Sequence, residues 1–261
     1  MFFIKDSSFG KKRWAIAQTS YSLTNEFFMP HNEVATAIPR KNANTSKNTN
    51  TSANTNSKTS SVHNSEDMQS VTHFLLELDA LKHVNRRNHI TPDESGQIRV
   101  ENSAEHSWHL AMACWSIAEL FKLKVDHEKL LKMALIHDLG EIDAGDTFLY
   151  AKTRNDAHLE ERDGIARLQN ERGNGIADLS EIWEEQETGN SAETQLLKVI
   201  DRLLPFLLNL NTQGKTWIEL GIRRTQVADA HAFIADSFPV IHQWLAAQID
   251  YATKQGWLID N

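Results

Sequence analysis

The chain has 261 residues, with 35 acidic against 27 basic side chains and a net charge of -8. That balance excludes a basic footprint for a nucleic acid polymer or an anionic membrane surface and favours a small ligand. No apolar run reaches the roughly 18 to 20 residues of a membrane span, and the opening MFFIKD has too short an apolar segment for a secretory signal, so the expected compartment is the cytoplasm. The single cysteine, Cys114, cannot make an internal disulfide; within Ala111-Met112-Ala113-Cys114-Trp115 it reads as a buried thiol.

Residues 1–40 carry scattered aromatics without a sustained period, and residues 41–61 are a tract of Asn, Thr, Ser and Lys with two alanines. So little apolar surface cannot offset the entropy of ordering, which predicts a disordered segment. Residues 1–66 are therefore expected to form an extension and residues 67–261 the domain. From Asp67 the pattern turns helical, with Val71, Phe74, Leu75, Leu78 and Leu81 on one face. A second helix fits Ala104 to Leu123, with Ser103 as N-cap and Leu110, Ala113, Cys114, Ile117 and Leu120 facing inward. The third, Glu128 to Leu139, is apolar nearly all round and should be central; Gly140 and Gly145 mark its end. Further helices fit 156–171, 177–187, 191–210 with a kink at Pro205, 226–236 and 239–255. The tryptophans Trp108, Trp115, Trp183, Trp217 and Trp244 stand among apolar neighbours and are expected in the core. No alternating run supports a sheet, so the predicted class is all-α.

Four polar residues break this apolar pattern. His137 and Asp138 stand at the end of the most apolar helix, His106 shares a face with Leu110 and Ala113, and Asp201 interrupts the apolar run Val199 to Leu204. An aspartate in mid-helix is poor for propensity and costly to bury. Asp201 could pair with Arg202, and His137 could be a solvated helix-end histidine. Together, however, the four come from three helices, and helical bundles build metal sites by projecting ligands inward. They make a two-His, two-carboxylate set suited to one divalent cation, with manganese, cobalt, iron or zinc all compatible.

In its order of motifs the chain resembles the HD-domain superfamily of metal-dependent phosphohydrolases, through His106, His137-Asp138 and Asp201. It is more closely similar to the bacterial 5'-nucleotidase branch acting on deoxynucleoside monophosphates. That likeness runs through Leu81-Lys82-His83-Val84-Asn85-Arg86, Glu101 to Ser107, and His137-Asp138-Leu139-Gly140-Glu141 followed by Gly145-Asp146. The resemblance spans about residues 68–250 and implies a compact multi-helix bundle. It further implies that His106, His137, Asp138 and Asp201 hold the metal, that Glu141 orients or deprotonates the attacking water, and that Asp146 helps place the phosphate. Arg86 would grip the phosphate as a fork and Lys152 as a point charge. The substrate so implied is a small phosphomonoester, a nucleoside 5'-monophosphate, and the assembly a homodimer.

Two departures matter. The branch has an aromatic after the phosphate-binding arginine, where this chain has Arg87, which puts selection of the deoxy sugar in doubt. The alarmone hydrolases carry Glu-Asp where this chain has Glu141-Ile142. Competing readings are a two-iron oxygenase of the same scaffold, with His109 as an extra ligand, and a non-catalytic nucleotide-binding protein with a structural metal, which would not need Glu141.

Overall fold

A computed structural model describes residues 3–4, 15–16, 65–151 and 154–260, and the chain divides into two units, residues 1–57 and 58–261. In the first unit, β1 (Phe3–Ile4) and β2 (Ala15–Ile16) pair antiparallel. The expected disorder of residues 41–61 lies outside the described residues, as does Lys152.

The second unit is helical, as predicted. Its elements in order are α1 (Ser65–Asp79), a 3-10 turn (Ala80–His83), β3 (Asn85–His89), β4 (Val100–Asn102), α2 (Ser103–Phe121), α3 (His127–Ile136) and α4 (Glu141–Ala144). Then follow α5 (Arg154–Asn170), α6 (Leu179–Thr188), α7 (Ala192–Asn211), α8 (Lys215–Glu219), α9 (Arg224–His231), α10 (Ile234–Ser237) and α11 (Pro239–Lys254).

Two apolar clusters hold this unit together. Leu110 and Cys114 of α2, Leu130 and Met133 of α3, and Leu196, Ile200 and Leu204 of α7 form the first, all of them fully or almost fully buried. Phe74, Leu81, Ile136, Leu139, Ile165, Leu168 and Trp183 form the second. Each buried aliphatic side chain contributes about 1.5–3 kcal/mol relative to exposure. Helix α3 supplies residues to both clusters, which explains why its sequence is apolar on nearly every face, although Leu135 stays half exposed.

Several expectations need correction. Asn102, not Ser103, caps α2: its side-chain oxygen accepts from the Glu105 N–H at 2.9 Å, and Ser103 is freed for another contact. Val71, Leu75 and Leu120 are exposed, and so are Trp108, Trp115 and Trp244, whereas Trp183 and Trp217 are core residues as predicted. The helix expected over 226–236 is broken at Ala232 and Phe233, where the Ala232 N–H bonds the Asp229 carbonyl one residue short of the α-helical partner. A small antiparallel pair, β3 with β4, was not foreseen. Its strand Asn85-Arg86-Arg87-Asn88-His89 has no apolar alternation, so periodicity could not reveal it.

Candidate metal centre and cleft

Strand β3 carries Arg86, β4 carries Glu101, α2 carries His106, the α3 C-terminus carries His137, α4 opens with Glu141, and α7 carries Asp201. These elements converge because α2, α3 and α7 pack on one another, while β4 runs without a break into α2. The ligand atoms of His106, His137 and Asp138 all lie within 4.8 Å of one another, and Asp201 joins them through a 3.0 Å contact with His106 Nε2. All four residues predicted to hold the metal therefore meet. His109, the extra ligand of the oxygenase reading, is not part of this group.

The protonation pattern of the histidines tests whether a cation fits. His137 Nδ1 stands 2.9 Å from the Ala134 carbonyl, an oxygen that only accepts, so Nδ1 carries a hydrogen and Nε2 is the nitrogen turned to the site. That Nε2 is buried without a hydrogen-bond donor, 3.0 Å from Asp138 Oδ1. His106 is fully buried, with Nδ1 3.4 Å from Glu101 Oε2 and Nε2 3.0 Å from Asp201 Oδ1. His106 Nε2 hydrogen-bonds Asp201 Oδ1, whereas its Nδ1 lacks an aligned partner. The orphaned His137 Nε2, turned to a buried carboxylate, is an atom that a cation would satisfy, and this mixed imidazole and carboxylate set suits a divalent transition metal. The residues fit the cation.

Charge at the site is partly balanced by arginines. Arg86 is nearly buried and donates to Asp138 Oδ2 at 2.8 Å, with Nε 3.5 Å from Glu101 and Nη1 4.0 Å from Asp146. Arg202 donates to Asp201 Oδ2 at 2.8 Å, the pairing foreseen as the bland role of Asp201. Burial alone would raise the Asp138 pKa, but His137 and Arg86 outweigh it and hold the carboxyl at about 2. Burial likewise opposes ionisation of Asp201, yet Arg202 and His106 keep it well below the usual range. Glu141 behaves in the opposite way: burial and the neighbouring Asp138 charge push its pKa well up, despite Arg86 and a 2.6 Å hydrogen bond from Ser103 Oγ–H. Burial also raises Asp146, with Arg86 acting against it. The carboxyls thus divide into two whose pKa is held down, Asp138 and Asp201, and two whose burial raises it, Glu141 and Asp146.

A cleft opens on each side of this centre. One side is walled by Arg86, Arg87, Phe148, Tyr150 and Trp217. The other is walled by His158, Glu161, Gln186, Glu187 and Lys198, with His158 Nδ1 3.3 Å from Glu161 and 3.4 Å from Glu187. Asp138, Glu141, Thr147, Asp201 and Arg202 line both. The sequence assigned no site role to Glu101, Ser103 or the His158 group, and placed Arg202 only as a partner for Asp201. Glu101 and Ser103 lie inside the stretch that carried the family resemblance, which was the available signal.

The HD domain profile matches residues 78–242, well over half of the chain. The chain belongs to the HD domain family. An HD domain with this donor set implies a divalent metal. The chain is similar to the 5'-deoxynucleotidase HDDC2 of Danio rerio, 29% identical over 105 residues that cover 40% of this chain and 51% of that protein. The human protein of the same name is 25% identical over 146 residues, covering 55% and 69% of the two chains. The chain thus spans about half the length of the Danio rerio relative, and 57% of that from Dictyostelium discoideum. Among solved structures, the predicted metal-dependent phosphohydrolase of Magnetospirillum magnetotacticum MS-1 is 33% identical with a TM-score of 0.63, covering 74% of this chain and 95% of that one.

Proposed function

We propose that this HD domain is a metal-dependent phosphohydrolase that cleaves a small phosphomonoester, with a nucleoside 5'-monophosphate as the substrate class. The observation that carries the reading is the convergence of two buried imidazole nitrogens, His106 Nε2 and His137 Nε2, each 3.0 Å from a carboxylate oxygen, those of Asp201 and Asp138, which line an arginine-walled cleft. The names of the relatives support the chemistry, and the deoxynucleotidases among them support the substrate class.

His106, His137, Asp138 and Asp201 would hold the cation. When bound, it supplies Lewis acidity that polarises a phosphoryl oxygen and acidifies water. Arg86 and Arg202 fix the phosphate by charge-assisted hydrogen bonds while themselves anchored to Asp138 and Asp201. Asp146 helps hold Arg86 through the same Nη1, 4.0 Å away. Glu141 takes the proton of the attacking water as the new phosphorus–oxygen bond forms and the ester bond breaks, then returns it to the departing alkoxide. Its raised pKa suits both acts, because a base is stronger when its conjugate acid holds the proton well. Lys152 would add a point charge for the phosphate. Arg87, exposed at the cleft wall, stands where the deoxynucleotidases have an aromatic, so the reading extends to ribonucleotides as well.

The test is phosphate release from nucleoside monophosphates and unrelated phosphomonoesters with Mn, Co, Zn, Fe or Mg ions. Metal-dependent turnover that is lost in Asp138→Ala is the expected outcome. A metal-loaded protein inert on the whole panel would overturn the reading.

A further inference from the structure

Glu101 is the middle residue of β4, and the alternation of a strand sends it inward while Val100 and Asn102 stay partly exposed. Its side chain is only 3% exposed. An ionised carboxylate at that depth is costly unless paired. The charged partners within reach are Arg86 from the adjacent strand, Nε at 3.5 Å, and His106 from the first turns of α2, Nδ1 at 3.4 Å. Both approach the same oxygen, Oε2. Arg86 Nε, Glu101 Oε2 and His106 Nδ1 are also three buried atoms that lack any well-aligned hydrogen bond. Two contacts on one buried oxygen, at 3.4 and 3.5 Å and neither well aligned, are the mark of an arrangement that tightens when its ligands arrive.

We propose that Glu101 is a positioning residue that braces the metal ligand His106 and the phosphate-gripping Arg86 from a single carboxylate oxygen. This rests on the reading of the site given above. Accepting from His106 Nδ1–H commits the opposite nitrogen, Nε2, to the cation and increases its basicity, as carboxylates do behind metal-bound histidines. Accepting from Arg86 Nε–H turns the terminal amines of the same arginine toward Asp138 and the cleft. Because one oxygen serves both, metal affinity and phosphate affinity are coupled through it.

The variant is Glu101→Gln, which keeps the shape and removes the charge. Calorimetric titration with Mn ions, and of the Mn-loaded protein with inorganic phosphate, should show both affinities weakened, the metal by about tenfold to a hundredfold, at an unchanged melting temperature of the metal-free protein. Independently of any substitution, 15N spectra of the Mg- or Zn-loaded parent should show the His106 ring protonated at Nδ1. Parent-like affinities in Glu101→Gln, a loss that only follows a lowered melting temperature, or a His106 ring protonated at Nε2 would each overturn the brace. A parent that binds neither Mn nor phosphate would instead overturn the reading of the whole site, and the brace with it.

Discussion

Ser103 Oγ–H donates to Glu141 Oε2 across 2.6 Å, a buried hydrogen bond that joins the first residue of α2 to the first residue of α4. It fixes a carboxyl whose pKa burial and the Asp138 charge push well up. Glu141→Gln should therefore reduce kcat by about a hundredfold or more, the usual contribution of a positioned base, in a protein that still takes up metal. Ser103→Ala should give a smaller loss with Glu141 intact. Steady-state kinetics beside metal analysis checks both, and equal turnover in Glu141→Gln and parent would return the non-catalytic reading.

Gly140 is a second point of control over Glu141. A Cβ at this position would stand 2.6 Å from the Glu161 carbonyl oxygen and 2.8 Å from its Cα, so α5 packs directly on the turn that follows His137 and Asp138. Backbone cannot yield as a flexible side chain can. Gly140→Ala should destabilise the protein by about 1–3 kcal/mol, the usual cost of overpacking, visible as a lower denaturant midpoint in the metal-free state. Turnover should fall as well, because Glu141 is the next residue.

Arg86 neutralises a concentration of acid that no lysine can match in shape. Its guanidinium meets Glu101 through Nε and Asp138 and Asp146 through Nη1, whereas an ammonium presents one point of charge. Arg86→Lys should lower kcat/KM about tenfold to a hundredfold, in line with a lost charge-assisted hydrogen bond of about 1.5–3 kcal/mol. Weaker inhibition by inorganic phosphate should accompany the loss.

Metal should stabilise the fold measurably, since only the native state assembles the four donors. Added Mn ions should raise the Tm in proportion to the logarithm of their concentration above Kd, and a chelator should reverse the gain. Asp201→Ala should abolish the concentration dependence, as read by calorimetric scans.

Cys114 gives a pH prediction. Burial, with Asp201 adding to it, pushes this thiol from 9.0 up to about 12. Folding thus favours the protonated thiol, and the contribution is complete below pH 9.0 and disappears as pH rises toward about 12. The stability difference between parent and Cys114→Ala should shrink across that window in urea titrations. At pH 8 the native thiol should resist alkylation until the chain unfolds.

The four residues proposed to hold the metal were legible as a cluster because each interrupts an apolar helical pattern, and a polar group in such a place needs a partner. The helices α2, α3, α7 and α11 were legible for the same reason, with boundaries displaced by a residue or a few where caps decided the end. Asn102 displaced Ser103 as cap because an N-cap is settled by the direction of one side chain, which composition does not specify. β3 was hidden because its inward surface is made of Arg86 and Asn88, which bond to polar partners instead of packing in an apolar core. The exposed tryptophans show the converse: helical spacing places Trp108 and Trp115 on α2 but cannot say which side of α2 faces α3 and α7.

Pro205 lies four residues after Asp201 in α7 and has no N–H, so the Asp201 carbonyl is denied its helical partner. Helix α7 continues unbroken through Pro205 with one hydrogen bond fewer, so its backbone is less stiff at that turn, which coincides with a residue proposed to hold the metal. A change of a few degrees there would swing the Asp201 carboxylate while the buried halves, around Leu197 on one side and Leu208 on the other, stay seated. Ligand geometry could thus be adjusted during evolution by retuning that one turn, without disturbing the packing that keeps the bundle folded.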